Sequence, residues 1–273
     1  MFISPMLLNK VNEPFNDIKF ISEMKLDGIR LILSKFNGEV RIYSRHRNDV
    51  TNKFKELQNI EIPEGTAIDG EVIVTDSNGK PCFESMMERF MTPKKIHRIQ
   101  YCVFDIMYYK SENVMFKPLI ERKMLLESIL PQKENVVMVQ HINGRGIEYF
   151  NAVKEKGLEG IVLKKSDSVY RASSRSNDWL KIINYQYANI IITGLRKKKF
   201  GVLLSFDDGS PAGILEFMKP IDRKILYEQY KKYKQYEDEN NIYLNPELRG
   251  IVKYRNLTRK GYLRIPSFER WIS

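Results

Sequence analysis

The feature that most constrains this chain is a succession of short runs rich in β-branched and aromatic residues that outnumber the helical ones and do not alternate with them. FISEMKL (20–26), IRLILSKF (29–36), EVRIYSR (39–45), AIDGEVIVT (67–75), QYCVFDIMYY (100–109), VVMVQHI (136–142) and LEGIVLKK (158–165) all read as strands. The clearest helical segments are 117–130, KPLIERKMLLESIL before Pro131, and 145–156, RGIEYFNAVKEK before Gly157. A doubly wound sheet needs strand and helix in turn, so this pattern predicts an α+β fold of antiparallel sheets with flanking helices.

Beyond a boundary near 185–190 the pattern changes. Strands are expected at 189–196, 201–206 and 213–218, a long helix at 221–240, and further strands at 249–256 and 261–265. Five short strands with one helix suit a small barrel of the oligonucleotide-binding type. The chain carries a net charge of +11, and residues 189–273 contribute 17 Lys and Arg against 10 Asp and Glu. Such a basic excess favours a polyanionic partner, nucleic acid first. Runs such as VVMVQ and NIIITGL are far too short to cross a bilayer, so no membrane association is expected. Cys82 and Cys102 have neither zinc-ligand spacing nor a disulfide pattern, which fits a reducing, cytoplasmic setting.

Chemistry concentrates around EMKLDGIR (23–30). It is followed in order by SR (44–45), DGEV (69–72), FD (104–105), EGIVLK (159–164) and WLK (179–181). This series resembles the signature of the covalent nucleotidyltransferases, and its order and spacing are those of ATP-dependent DNA ligases of the small two-domain phage type. The resemblance implies a nucleotidyltransferase (adenylylation) domain over residues 1–187 and an OB-fold barrel over 188–273. It further implies a soluble monomer that uses ATP and magnesium, with manganese as a substitute, to seal nicked duplex DNA through a lysyl-AMP intermediate.

Within that resemblance Lys25 is the nucleophile. A lysine amine, whose ordinary pKa is ~10.4, is mostly protonated at neutral pH, so it needs neighbouring cations to disfavour its charge before it can attack. Glu23 lies two residues away on the same strand face and is implied to contact the adenine amino group. Arg30 and Arg45 are implied to meet the ribose and then the 5′-phosphate of the nick, with Arg47 a rival to Arg45. Phe104 is implied to stack on adenine. Glu71 is implied as ribose or metal contact and Glu159 as metal ligand, while Asp69 could instead cap a turn. Lys164, Arg175 and Lys181 form the implied phosphate-facing set.

Two departures stand out. Ile183 occupies a position where the family usually has a second basic residue, and YLRIPSFERWIS (262–273) opens like the family's C-terminal RxPxF element without its usual basic-acidic ending. Only 24 residues precede Lys25, so the expectation is that the two domains themselves hold the DNA, with RKKKFG (196–201) and the YKKYKQY face (230–236) as phosphate contacts. RNA ligases and capping guanylyltransferases share the lysine chemistry, and a catalytically silent binder of nucleic-acid ends is the reading from another class.

Overall fold

The computed structural model describes residues 1–92, 97–130 and 133–272. They form two compact units, Met1–Asn184 and Tyr185–Ser273. In the first unit the order is β1 (Leu7–Lys10), β2 (Asn16–Met24), β3 (Ile29–Phe36), β4 (Glu39–Ser44), β5 (Thr66–Ile73), α1 (Phe83–Met91), β6 (Gln100–Tyr109), β7 (Glu112–Asn113), α2 (Leu119–Ile129), β8 (Val136–Met138), β9 (His141–Arg145), α3 (Gly146–Glu155), β10 (Gly160–Lys165) and β11 (Arg175–Ile183). The α+β class is as expected. The stop expected at Pro131 lies outside the described residues.

These strands make two sheets, one ordered β1-β11-β10-β2-β9 and one ordered β4-β3-β5-β6-β7, with β8 added in parallel to β6. The second sheet is apolar on both faces, which explains its uninterrupted hydrophobic runs. Leu31 and Leu33 of β3 enter a large core with Ile68, Val103 and Leu126, whereas Ile32, between them, joins Met6, Ile21 and Trp179. The second of these clusters mixes residues of both sheets, so the sheets face each other across it. Polar side chains placed at that interface are therefore removed from water and held by both layers.

The second unit contains β12 (Gln186–Arg196), β13 (Val202–Ser205), β14 (Pro211–Leu215), α4 (Pro220–Tyr233), β15 (Lys234–Glu237), β16 (Asn241–Tyr254) and β17 (Ser267–Ile272). The sheet runs β14-β13-β12-β16-β15, with β17 also paired to β16. It closes because Phe217, just after β14, bridges Ser267 and accepts a hydrogen bond from the Phe268 N–H at 2.8 Å. Ile190, Ile192, Val202, Leu215, Leu226 and Val252 fill its interior. Gln186 and Tyr187 already pair with Tyr254 and Lys253, so the boundary expected between 187 and 188 falls inside β12.

Two further expectations need correction. The helix expected over 221–240 stops at Tyr233, because Lys234 turns to extended backbone and β15 pairs with β16. Tyr236 then stacks on Tyr243 at 4.5 Å, a cross-strand pairing that outweighs the helical propensity of a Lys- and Glu-rich stretch. The strand expected over 261–265 is instead a turn, with Gly261 at φ 80° and Ile265 at φ 52°, and the last strand starts after Pro266.

Candidate active site

The two facing sheets of the first unit leave a pocket between them. Six of the residues singled out in the sequence line it: Glu23, Lys25, Arg30, Glu71, Phe104 and Lys164. Lys25 follows the end of β2, and its N–H donates to the Gly160 carbonyl at 2.9 Å, which ties it to the start of β10. Its ammonium donates to Glu159 Oε2 at 2.8 Å. Lys25 remains 18% exposed, whereas Glu159 is 4% exposed.

Two glycines make this junction possible. A Cβ on Gly28 would lie 2.1 Å from the Val72 carbonyl oxygen, and one on Gly160 would lie 2.0 Å from that of Ile182. Gly160 also has φ 145°, a conformation L side chains rarely adopt. The DG and EG of the two motifs are therefore close approaches of backbone to backbone.

Arg30, Asp69 and Glu71 come from β3 and β5, which pair with Arg30 opposite Glu71. The Arg30 guanidinium grips Asp69 through Nε at 2.9 Å and Nη2 at 2.5 Å. The Tyr170 hydroxyl donates to Asp69 Oδ2 at 2.7 Å and accepts the Met6 N–H at 3.0 Å. Asp69 is wholly buried in a strand, so it anchors Arg30 and caps no turn. Burial disfavours the Arg30 charge, but Asp69 outweighs it and keeps the guanidinium firmly cationic over the Phe104 ring, 5.2 Å from its centroid. Burial pushes the Glu71 carboxyl up to about 7, with Lys25 and Arg30 opposing and Glu159 and Asp69 adding to the rise.

Glu23 forms the floor. Its carboxylate is 2% exposed and lies between two ammoniums, Lys164 at 2.7 Å from Oε2 and Lys123 beside Oε1. Burial would raise its pKa, yet the two lysines hold it below the ordinary carboxylate value. Lys164 is itself enclosed, with its Nζ 4.2 Å from the centroids of both Phe104 and Trp179, and burial lowers its pKa against the pull of Glu23. Phe104 and Trp179 meet edge to face at 6.5 Å. Lys164 is thus directed at the pocket floor.

The other singled-out residues lie apart from the lining. Arg45 is exposed in the turn after β4, and its rival Arg47 sits over the Phe2 ring. Arg175 is exposed at the start of β11, where its guanidinium donates to the Leu8 carbonyl. Lys181 is half-buried on β11 opposite Val162 and Lys10.

Sequence reasoning missed Lys123 altogether and valued WLK for its lysine rather than for Trp179. A signal existed for the first. Positions 119, 122, 123 and 126 share one helix face, and the charges at 122 and 123 interrupt an apolar stripe. Arg122 spends its charge on Asp105, with Nε and Nη2 both 2.8 Å from the carboxylate, and so pins α2 to β6.

Among the described residues no group of three or more His, Cys, Asp or Glu is arranged to hold a metal ion, and no helix is long and apolar enough to cross a membrane. Glu71 and Glu159 nonetheless offer two hard oxygen donors that interact electrostatically beside Lys25. Magnesium commonly takes one or two carboxylates and completes its shell with phosphate oxygens and water, so this donor set fits it.

Residues 5–182 match the family described as ATP dependent DNA ligase domain. The chain is 50% identical over 271 residues to the SPbeta prophage-derived DNA ligase-like protein LigB of Bacillus subtilis, covering 99% of both chains. It is 28% identical to the multifunctional non-homologous end joining protein LigD of Mycolicibacterium smegmatis, but spans only 35% of that protein. A solved structure from an analysis of Lig E DNA ligases, described as DNA binding with a minimal scaffold, superposes with a TM-score of 0.71 at 16% identity over the whole of both chains, which establishes a common fold.

Proposed function

Because the chain belongs to the ATP-dependent DNA ligase domain family, we propose that it seals nicks between a 3′-hydroxyl and a 5′-phosphate in duplex DNA through a lysyl-AMP intermediate. The observation that carries this reading is the placement of the Lys25 amine beside Glu159 and Glu71 at a pocket floored by Glu23 and walled by Phe104. A nucleophile, two carboxylates and a flat ring are what adenylyl transfer requires in one place.

In the first step the neutral Lys25 amine attacks the α-phosphorus of ATP, forming a P–N bond as pyrophosphate leaves. The Glu159 pair must open and the amine must lose its proton before this can occur. Phe104 offers its face to the base, and Glu23 offers acceptors to the adenine amino group. Arg30, fixed by Asp69, meets the ribose and later the 5′-phosphate. AMP then passes to the 5′-phosphate, and the 3′-hydroxyl displaces it to form the phosphodiester. Glu71 and Glu159 would hold a divalent cation, which supplies charge neutralisation on the phosphate oxygens when bound.

Lys181, Arg175 and Arg45 stand outside the pocket lining, and we assign them the phosphate contacts implied by the family likeness. We assign nucleotidyl transfer to the first unit, Met1–Asn184, and contact with the DNA backbone chiefly to the basic residues of the second, Tyr185–Ser273. No observation favours the RNA ligase, capping or silent-binder readings.

The test is incubation with α-labelled ATP, with α-labelled GTP, and then with 5′-labelled nicked duplex. A labelled protein band with ATP and a sealed strand are expected. Labelling by GTP alone, or a labelled protein that never seals DNA, would overturn the reading.

A further inference from the structure

We propose that Lys123 is a positioning residue that sets the base specificity of the pocket, selecting a purine with an amino group at C6 over one with a carbonyl there. The inference rests on the ATP-binding reading of the same pocket and deepens it.

Lys123 belongs to α2, and at 1% exposure it is among the most buried charges in the chain. Its ammonium joins three elements: it sits on its own helix, donates to the Phe104 carbonyl of β6 at 3.2 Å, and forms an ion pair with Glu23 Oε1 of β2. One group therefore locates both the wall and the floor proposed to recognise the base. The Glu23 carboxylate meets one ammonium on each oxygen, Lys123 on Oε1 and Lys164 on Oε2, and it is these two charges that fix its orientation at the pocket lining. Ionised, the group has about four lone-pair sites, so with one ammonium on each oxygen it keeps acceptor capacity for a ligand donor in the pocket.

An ionised carboxylate accepts and cannot donate. Adenine presents an amino group at C6 and fits that requirement, whereas a C6 carbonyl would set oxygen against oxygen. The discrimination lasts only while Glu23 stays ionised and faces the pocket. Without Lys123, the buried carboxyl either takes up a proton or swings to Lys164, whose position is fixed between the rings of Phe104 and Trp179. A protonated carboxyl can donate, and one turned to Lys164 no longer faces the base, so either change favours the carbonyl purine relative to adenine.

The test compares second-order rates of protein labelling by α-labelled ATP and α-labelled ITP, whose base carries the C6 carbonyl without guanine's extra amino group. Wild type is expected to prefer ATP by more than tenfold. Lys123→Met should lower that ratio at least tenfold, Lys123→Gln, which keeps a donor for the Phe104 carbonyl but no charge, should do the same, and Lys123→Arg should restore most of it. If Lys123→Met fails to fold, Lys123→Gln is read alone. A folded Met or Gln variant that loses rate equally with both nucleotides, keeping the wild-type ratio, overturns the proposal and leaves Lys123 a structural lysine. Wild type that takes label from neither nucleotide overturns the ligase reading and this inference with it, whereas labelling by ATP with an unchanged ratio in the variants overturns this inference alone.

Discussion

The Lys25 ammonium lies 2.8 Å from the Glu159 carboxylate, so the amine proposed as nucleophile and a carboxylate proposed to hold the metal are paired with each other. Ligand binding must exchange this pair for new partners. Because Lys25 sits at the accessible side of the pocket and Glu159 has further interactions, Lys25→Ala should fold with little change in thermal stability while AMP labelling falls below detection. Lys25→Arg should fail as well, since a guanidinium does not deprotonate to attack. Acid-labile AMP labelling retained in either variant would mean that another residue is the nucleophile.

Phe104 touches more than the proposed base. Its ring packs on Trp179 and under the Arg30 and Lys164 cations, so truncation loosens the pocket as well as removing a stacking face. Phe104→Ala should weaken ATP binding by roughly 1–3 kcal/mol, the range for base–aromatic stacking, and Phe104→Tyr should be mild. Calorimetry on the folded variants checks it. Unchanged ATP affinity with a lowered melting temperature would assign Phe104 to the core alone.

The Arg30–Asp69–Tyr170 chain is a buried ionic network with no exposed carboxylate. Removing one charge from such a pair leaves the other uncompensated, at about 3–5 kcal/mol. Asp69→Asn should therefore lower the unfolding free energy by roughly that amount and reduce labelling, whereas Tyr170→Phe should lose about 1–3 kcal/mol. Denaturant melts of both variants decide it, and an Asn variant as stable as wild type would show that Arg30 finds another partner.

The parts of this architecture legible from sequence are those fixed by local chemistry. Alternation and β-branching located β3, β5 and β6, and close backbone approach explains why Gly28 and Gly160 sit where the motifs have them. What escaped depends on partners distant in the chain. β11 opens RSND, a turn-like composition, and is a strand because β10 and β1 lie on either side of it. α1 is short and begins without a side-chain cap, so nothing in FESMMERFM announces it. Lys123 reads as a surface lysine until Glu23, a hundred residues earlier, is placed beside it.

Glu23 also gives the protein a pH dependence of known sign. Its pKa is lower in the folded state despite burial, because Lys123 and Lys164 outweigh desolvation. The unfolded chain then binds the extra proton, so this contribution is present above the ordinary value of 4.5 and is lost as pH falls through the window beneath it. The gap in melting temperature between wild type and Glu23→Gln should be widest near neutrality and shrink below that value. A gap that stays constant into acid would mean that the carboxyl is not ionised in the folded protein.

The basic residues of the second unit offer the last test. Arg196, Lys198 and Lys199 line a groove together with Asn240 and Asn241, while Lys197 lies 3.3 Å from Glu237 and Lys199 lies 3.2 Å from Glu216. These pairs are exposed enough to exchange a carboxylate for a phosphate at little expense, since surface ion pairs are worth about 0–1 kcal/mol. Replacing Lys197, Lys198 and Lys199 together by Gln should leave ATP-dependent labelling of Lys25 nearly intact, lower affinity for nicked duplex, and flatten the plot of log affinity against log salt by about 0.9 for each phosphate no longer neutralised. Lys198, for which no carboxylate partner is seen among the described residues, should account for more of the change than Lys197, which must first leave Glu237. Counterion release carries no sequence information, so nicks of different sequence should suffer alike. A salt slope identical to that of wild type would show that these lysines are solvated bystanders and that the DNA backbone is held elsewhere.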